Sequence, residues 1–289
     1  MREEYPIDLH MHTTTSDGTD TPEQIVARVR EEEIRLFSVT DHDAISACEE
    51  IRAVLKPDDP RFIPGAEFSC RDKLGKYHIL GYGYDSTTEP IRAVVEKGHS
   101  LRMWKLQQRL DFIKEEFGFE FSREDLDELL ARKNPGKPHI GNLMVKYGYV
   151  DTKETAIRDY INKKKIRGAY IGPEVAIRGI LESGGIPVLA HPAYGSGDQL
   201  ILGDELKERV KRLMEFGLQG LEGFYSGFTP RIRAQVCELA AENDLYLTAG
   251  SDYHGSNKLV KLGDTGFMRG EEVPEGMQRF LDHFGAKLR

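Results

Sequence analysis

The stretch IDLHMHTTTSDGTD, residues 7–20, places two histidines one residue apart behind an apolar alternation and follows them with a polar turn carrying Asp17. In an extended chain successive side chains point to opposite faces. Ile7, Leu9 and Met11 then share one face, while Asp8, His10 and His12 share the other. Two imidazoles delivered from one strand are ready-oriented ligands for a metal ion. The same pair also suits two hydrogen-bonded core histidines, so the rest of the chain has to discriminate. More acids and imidazoles fall where other apolar runs stop: Asp41, His42 and Asp43 in VTDHD, Glu67 in PGAEFS, His191 in VLAHP, and Asp252 and His254 in AGSDYH, with His78 beginning the run YHILGYG.

Taken singly, each has a bland reading: His42 as a turn residue, Glu67 as a surface acid, His78 as a core histidine, Asp252 as a cap. Jointly, His10, His12, Asp17, His42, Glu67, His78, His191, Asp252 and His254 would make an intolerable knot of buried charge at the mouth of a barrel unless cations neutralise it. Metal binding is the expectation. His99 and His283 read as packing or surface residues, and His139 in GKPHIGN stays open between a helix start and a substrate contact.

The elements that would position these groups are legible from periodicity. PIDLHMH, RLFSVTD, RFIPGAEFS, YHILGYGY, GIPVLAH, GLEGF and LYLTAGSD read as strands, separated in several places by amphipathic helices. TPEQIVARVREEE starts with Thr21 as a cap and Pro22 in the first turn, and GDELKERVKRLMEFG gathers Leu206, Val210, Leu213 and Met214 on one face. From Glu89 to Gly172 no strand is evident, and several helical patterns follow one another. The expected organisation is an α/β barrel domain over residues 1–88 and 173–289, with 89–172 as an all-helical insertion over the active face.

Bulk properties narrow the function classes. A charge of −8, a pI near 5.7, 39% hydrophobic residues and a mean hydropathy of −0.49 describe a folded, water-soluble chain without a general polyanion-binding surface. Cys48, Cys70 and Cys237 are widely spaced and odd in number, which suits buried reduced thiols. No run approaches a membrane span and the first residues lack a secretory pattern, so a cytoplasmic location and no membrane partner are expected.

The set His10-x-His12, Asp17, Asp41-His42, Glu67, His78, His191-Pro192 and Ser251-Asp252-Tyr253-His254 resembles the PHP (polymerase and histidinol phosphatase) family over nearly the whole chain. It is most similar to the metal-dependent phosphoesterases with a helical insertion, whose members include 3′,5′-nucleotide bisphosphatases and 5′-to-3′ exoribonucleases. The resemblance implies a distorted (β/α)7 barrel and three divalent ions, Mn²⁺, Zn²⁺ or Fe²⁺. It assigns His10, His12, Glu67 and Asp252 to the first ion, Glu67, His78 and His191 to the second, and Asp17, His42 and His254 to the third. Asp17, His42, Glu67, His191 and Asp252 form the expected catalytic set.

The expected reaction is hydrolysis of a phosphomonoester, with a small phosphorylated molecule, a nucleotide, as substrate and metal-bound hydroxide as nucleophile. Neither a nucleophile elbow nor a phosphate-binding glycine loop is present in the sequence. Asp43, His139, Ser226 and Thr229 are candidate substrate contacts; Asp43 is alternatively a general acid or the cap of AISACEEIRAVL. Lys133, Lys163, Lys164, Lys165 and Arg167 read either as a solvated face or as a basic wall for a short oligonucleotide. Two departures from the nucleotide-acting pattern are Asn142, where an arginine is common, and the lack of a histidine in FYSGFTP. The alternatives are an exonuclease on short single strands, a histidinol-phosphate-type phosphatase and, outside enzymology, a polymerase-associated structural module. Glu67 in place of a modified lysine separates the chain from the binuclear amidohydrolases.

Overall fold

The computed structural model describes residues 5–166, 168–195 and 199–286, so Arg167 lies outside the described residues. Strands β1 (Ile7–Asp8), β2 (Leu36–Phe37) and β3 (Arg61–Phe62) pair in parallel in that order. A second sheet has the order β4 (Gly65–Asp72), β5 (Gly75–Tyr82), β6 (Ile186–Leu189), β7 (Gly220–Tyr225) and β8 (Tyr246–Gly250). Backbone contacts join the sheets at both edges: Leu9 N–H donates to Ala249 O at 2.9 Å and Met11 bridges Tyr253, while His42 bridges Glu67 on the far side. The result is a mixed α/β fold whose apolar core runs from Ile7 and Leu9 through Phe68, Ile79 and Val188 to Leu247 and Phe280.

Two features differ from the periodicity. RFIPGAEFS reads as one strand but is two, because Pro64 has no N–H to give a ladder; β3 ends before it and β4 starts after it. Glu67 therefore lies near the start of a strand that continues to Asp72, rather than at a strand end. The second difference is direction. β5 runs antiparallel to both β4 and β6, whereas β6, β7 and β8 are parallel. A residue early in β5 thus comes beside the carboxyl ends of the parallel strands, and this places His78 with the other imidazoles.

Helices α1 (Pro22–Glu31) and α2 (Ser46–Val54) follow β1 and β2. Thr21 caps α1 as expected: its hydroxyl accepts from Gln24 N–H at 3.3 Å, and Gln24 Oε1 accepts from Thr21 N–H at 2.8 Å. Asp43 does not cap α2, whose N-cap is Ile45. After β5 come α3 (Glu89–Phe117), α4 (Arg123–Leu130), α5 (Lys137–Lys146) and α6 (Lys153–Thr155), the last continuing into a π turn, Ala156–Tyr160, and a 3-10 turn, Ile161–Lys163. These helices enclose their own apolar cluster around Leu106, Ile113, Ile140 and Met144. The remaining helices are α7 (Pro173–Glu182), α8 (Gly203–Glu215), α9 (Pro230–Glu242) and α10 (Glu275–His283). Leu206, Val210 and Leu213 are buried on α8 while Met214 is half-buried. Cys48 and Cys70 are buried and Cys237 is half-buried, all as free thiols. Among the described residues no helix is long and apolar enough to cross a membrane.

Candidate metal centre

The β1 ladder ends at Asp8, yet the chain stays extended because β8 and the segment after it hold it: Asp252 N–H donates to His10 O and His12 N–H to Tyr253 O, both at 2.8 Å. Alternation therefore persists, with Ile7, Leu9 and Met11 in the core and His10 and His12 on the other side, ring centroids 5.3 Å apart. His42 follows β2, His78 lies on β5, His191 follows β6, and Asp252 and His254 follow β8.

These segments meet around Glu67, which is 1% exposed. Its Oε1 lies 2.8 Å from His78 Nδ1, 3.3 Å from His191 Nε2 and 3.4 Å from His10 Nε2. Its Oε2 lies 3.0 Å from His42 Nδ1 and 3.2 Å from His12 Nε2. Asp252 Oδ1 sits 3.4 Å from His12 Nε2, 3.4 Å from His254 Nδ1 and 3.5 Å from His10 Nε2. Asp17 Oδ1 sits 3.4 Å from His254 Nε2, 3.9 Å from His12 Nδ1 and 4.0 Å from His42 Nε2. Three overlapping groups have ligand atoms close enough to share an ion: His10, His12 and Glu67; His42, Glu67 and His78; and His12, Asp17, His42 and His254.

The donor set fits divalent ions. Burial pushes the carboxyls of Asp17, Glu67 and Asp252 up, but the imidazoles around them, with Lys258 beside Asp252, hold all three well below the usual range. Ionised carboxylates at this depth need cations. Meanwhile the buried nitrogens His10 Nε2, His12 Nε2 and His42 Nδ1 make no hydrogen bond of good geometry, although a Glu67 oxygen faces each. Mixed imidazole and carboxylate donors suit Mn²⁺, Zn²⁺ or Fe²⁺.

A surrounding layer fixes these side chains. Glu222, fully buried on β7, accepts from His10 Nδ1 at 2.9 Å and from His191 N–H at 2.7 Å. Asp41 accepts from Thr13 N–H and hydroxyl and from Ser16 N–H and hydroxyl, at 2.6–3.2 Å. Asp8 receives Ser251 N–H and hydroxyl, Gly263 N–H and His10 N–H. Tyr225 donates to Asp252 Oδ2 at 3.0 Å, and Lys258 pairs with the same oxygen. Tyr225 belongs to FYSGFTP, so a phenol reaches the site from the segment that has no histidine. Glu222 escapes a reading by strand ends because it sits mid-strand, though a lone acid in the otherwise apolar GLEGF was its signal. Asp43, His191 and Asp252 have φ of +49°, +29° and +58°, left-handed backbone that is uncommon for non-glycine residues and that Glu33 and Asp244 also adopt away from the site.

The four expected substrate contacts stand elsewhere than on the two cavities that reach the cluster. Asp43 accepts from Ser69 N–H at 3.0 Å and from Arg102 Nε at 3.2 Å. His139 Nδ1 accepts from Gly136 N–H at 3.0 Å, closing the first turn of α5. Ser226 donates to Ser251 O at 2.8 Å, and Thr229 caps α9 through Ile232 N–H. Asn142 is exposed on α5. Of the expected basic wall, Lys133 pairs with Glu50, while Lys163 lies over the Phe117 and Tyr160 rings and Lys164 over Phe112.

The packing behind His10 leaves no room for a methyl group. A Cβ on Gly250 would lie 2.2 Å from His10 Cβ and 2.5 Å from Glu222 Oε1. Gly250→Ala is expected to cost roughly 1–3 kcal/mol by overpacking. The measurement is thermal unfolding, with a fall in melting temperature of roughly 3–10 °C; an unaltered temperature would mean that β8 can retreat from His10 freely.

Known proteins share this fold. A solved chain from Bifidobacterium adolescentis superposes with a TM-score of 0.80 at 25% identity, covering 96% of this chain and 95% of its own. The phosphoribosyl 1,2-cyclic phosphate 1,2-diphosphodiesterase of Eggerthella lenta is 30% identical over 271 residues, 90% of this chain and 97% of that protein. The 5′-3′ exoribonuclease Rnm of Escherichia coli is 28% identical over 263 residues, 89% and 87% of the two chains. The 3′,5′-nucleoside bisphosphate phosphatase of Chromobacterium violaceum is 28% identical over 261 residues, 86% and 87%. The PHP domain model matches from residue 8 to residue 287, taking in every histidine and carboxylate of the cluster, and the chain belongs to the PHP family.

Proposed function

We propose that this chain is a metal-dependent phosphomonoesterase acting on a nucleotide, built as a distorted (β/α)7 barrel with residues 89–172 as a helical insertion over the active face. At the coarser level, the chain is a hydrolase of phosphoric ester bonds, as its family and named relatives are. The observation that carries the reading is the meeting of six imidazoles with the buried carboxylates of Asp17, Glu67 and Asp252. His10, His12, Glu67 and Asp252 would hold one ion, Glu67, His78 and His191 a second, and Asp17, His42 and His254 a third. Divalent ions in such a pocket lower the pKa of water and offset charge on phosphoryl oxygens. The chain's own part is orientation: Glu222 fixes the His10 ring, and Tyr225 and Lys258 hold Asp252.

A second reading, 5′-to-3′ removal of nucleotides from short single strands, is favoured by one observation. The cavity beside the cluster shares Lys76, Arg109, Lys137 and Tyr170 with a neighbouring chamber of about 410 Å³ that is also lined by Arg71, Lys164 and Lys165, which would suit a longer ligand. Product analysis on a 5′-phosphorylated oligonucleotide separates the two: inorganic phosphate alone for the first, mononucleotides for the second.

The test of the main reading is a panel of phosphomonoesters with Mn²⁺-supplemented protein, expected to give metal-dependent phosphate release from nucleotides. No release from any ester by metal-loaded protein would defeat it. Chelation supplies an independent check. Each ion present at about a hundredfold over its Kd contributes about 2.7 kcal/mol to stability. Removal is expected to lower the melting temperature by about 5 °C for each ion lost, and an unmoved transition would speak against a resident metal centre.

A further inference from the structure

The helices over residues 89–172 do not grip the cluster evenly. Asn134, 1% exposed between α4 and α5, donates from Nδ2 to the main-chain oxygen of His42, and its Oδ1 pairs with His99 Nδ1 on α3 at 3.0 Å. Arg102, also on α3, pairs at 3.2 Å with Asp43, the residue after His42. Lys153, the first residue of α6, donates from Nζ to Asn257 O at 3.1 Å and to Asn257 Oδ1 at 3.0 Å. The exposed Glu154 carboxylate stands farther off, at 3.8 Å. Asn257 passes the contact on: its Nδ2 donates to Asp17 O at 2.7 Å and its main-chain N–H to His254 O at 3.3 Å.

His42, Asp17 and His254 thus have their main chain tied, directly or through Asn257, to these helices. They are the three ligands proposed for the third ion, and with His12 their ligand atoms converge. Among the described residues no side chain of 89–172 hydrogen-bonds to His10, His12, Glu67, His78, His191 or Asp252; Glu222, Tyr253, Tyr225 and Lys258 hold four of these from the other side. The ties themselves have little slack. A Cβ on Gly141 of α5 would lie 3.0 Å from Lys153 Cγ, so the lysine stem is packed in place. Next to Asn257, Ser256 N–H donates to Thr19 Oγ1 at 2.9 Å and fastens the segment to the Asp17 turn. An ammonium spent on two neutral oxygens of one asparagine is a directional tie, since the hydrogen bonds fix where that asparagine stands.

We propose that Asn134, Lys153 and Asn257 are positioning residues that set the ligands of the third ion from helices outside the sheets, so that binding of this ion and seating of residues 134–163 are linked. Linkage is reciprocal: an ion held by Asp17, His42 and His254 tightens the helices by the same factor by which the seated helices tighten the ion. The other two ion sites form without this help. The coupling rests on the proposed metal centre and is independent of which ester is hydrolysed.

The test titrates metal-free protein with Mn²⁺ in a calorimeter, counts bound metal by elemental analysis and follows amide hydrogen exchange over residues 134–163. Wild type is compared with Lys153→Met/Asn257→Ala and with Asp17→Asn. In the double variant one ion per chain is expected to bind about tenfold or more weakly, within the usual span of coupling between sites, while the remaining ions keep wild-type affinity. Mn²⁺ is expected to slow exchange over 134–163 about tenfold in wild type, and by less than about threefold in the double variant and in Asp17→Asn, which still bind the other ions. Lys153→Met alone keeps the stem against Gly141 and removes only the donor; it is expected to shift both readouts in the same direction, and it decides the matter if the double variant does not fold. A double variant that melts lower when metal-free yet binds every ion as wild type does would make these contacts merely structural and overturn the coupling, leaving the phosphomonoesterase reading standing. Equal protection by Mn²⁺ in Asp17→Asn and wild type would overturn it as well, since the protection would then come from the other ions. Wild type that binds no Mn²⁺ would overturn the metal centre and the coupling together.

Discussion

Glu67→Gln is expected to lower turnover by about a thousandfold or more, which corresponds to ~4 kcal/mol of lost transition-state stabilisation. Both carboxylate oxygens are engaged, Oε1 by His78, His191 and His10 and Oε2 by His42 and His12. Glutamine preserves the shape but removes the charge and turns one of those two positions into an N–H donor. Two of the three proposed ion sites include Glu67, so both weaken together. The replacement is nearly isosteric and sits behind intact backbone pairing with Asp41 and Asp43, so the fold is expected to survive. Metal analysis of the purified variant should give less bound ion than wild type, and kinetics at saturating Mn²⁺ should still show the defect. Full metal content together with turnover within tenfold of wild type would remove Glu67 from the centre of the site.

The residues that were easiest to find in the sequence were those whose local pattern is self-sufficient. His10 and His12 stand out because period-two alternation holds over Ile7–His12 even though the β1 ladder stops at Asp8. The cap of α1 was legible for a similar reason, since Thr21, Pro22 and Gln24 lie within one turn. What was hidden depends on direction and on partners distant in sequence. Nothing local reveals that β5 runs antiparallel, yet that reversal brings His78 to within 2.8 Å of Glu67. Pro64 was a visible signal that the strand before Glu67 must break, but the apolar run on either side concealed it.

The basic wall shows the same limit. The lysine run at 163–165 is legible because its charges are adjacent in sequence. Arg102, Lys105 and Arg109 are spaced by three and four, which puts them on one face of α3, but the intervening apolar residues make the stretch read as an ordinary amphipathic helix. Only the packing shows that this charged face is buried alongside Leu106, Leu110 and Ile113. Left-handed backbone at His191 and Asp252 is equally invisible, because neither residue type advertises positive φ as glycine does.

Glu222→Gln is expected to weaken metal affinity by about 10–100-fold, the usual effect of losing a group that orients a ligating histidine. Glu222 Oε1 takes the proton of His10 Nδ1 at 2.9 Å, which leaves the Nε2 lone pair aimed at Glu67 and Asp252. Its other oxygen accepts from His191 N–H at 2.7 Å, so one carboxylate sets the ring of one proposed ligand and the backbone of another, the latter at φ +29°. A glutamine amide has a single oxygen. Whichever way it turns, its NH₂ faces either the His10 ring nitrogen or the His191 N–H. If it faces the ring, His10 must carry its proton on Nε2 and lose the lone pair that a metal needs. If it faces the backbone, two donors oppose each other in a site with no exposure, at a cost of ~1–3 kcal/mol. Calorimetric titration of the metal-free variant with Mn²⁺ is the direct measurement, with melting temperature followed alongside. Affinity within about threefold of wild type would show that Glu222 is a buried acid that happens to neighbour His10. The expected pattern separates it from Glu67→Gln: excess Mn²⁺ restores most of the turnover of Glu222→Gln, because every proposed metal ligand is still present and only its aim has loosened.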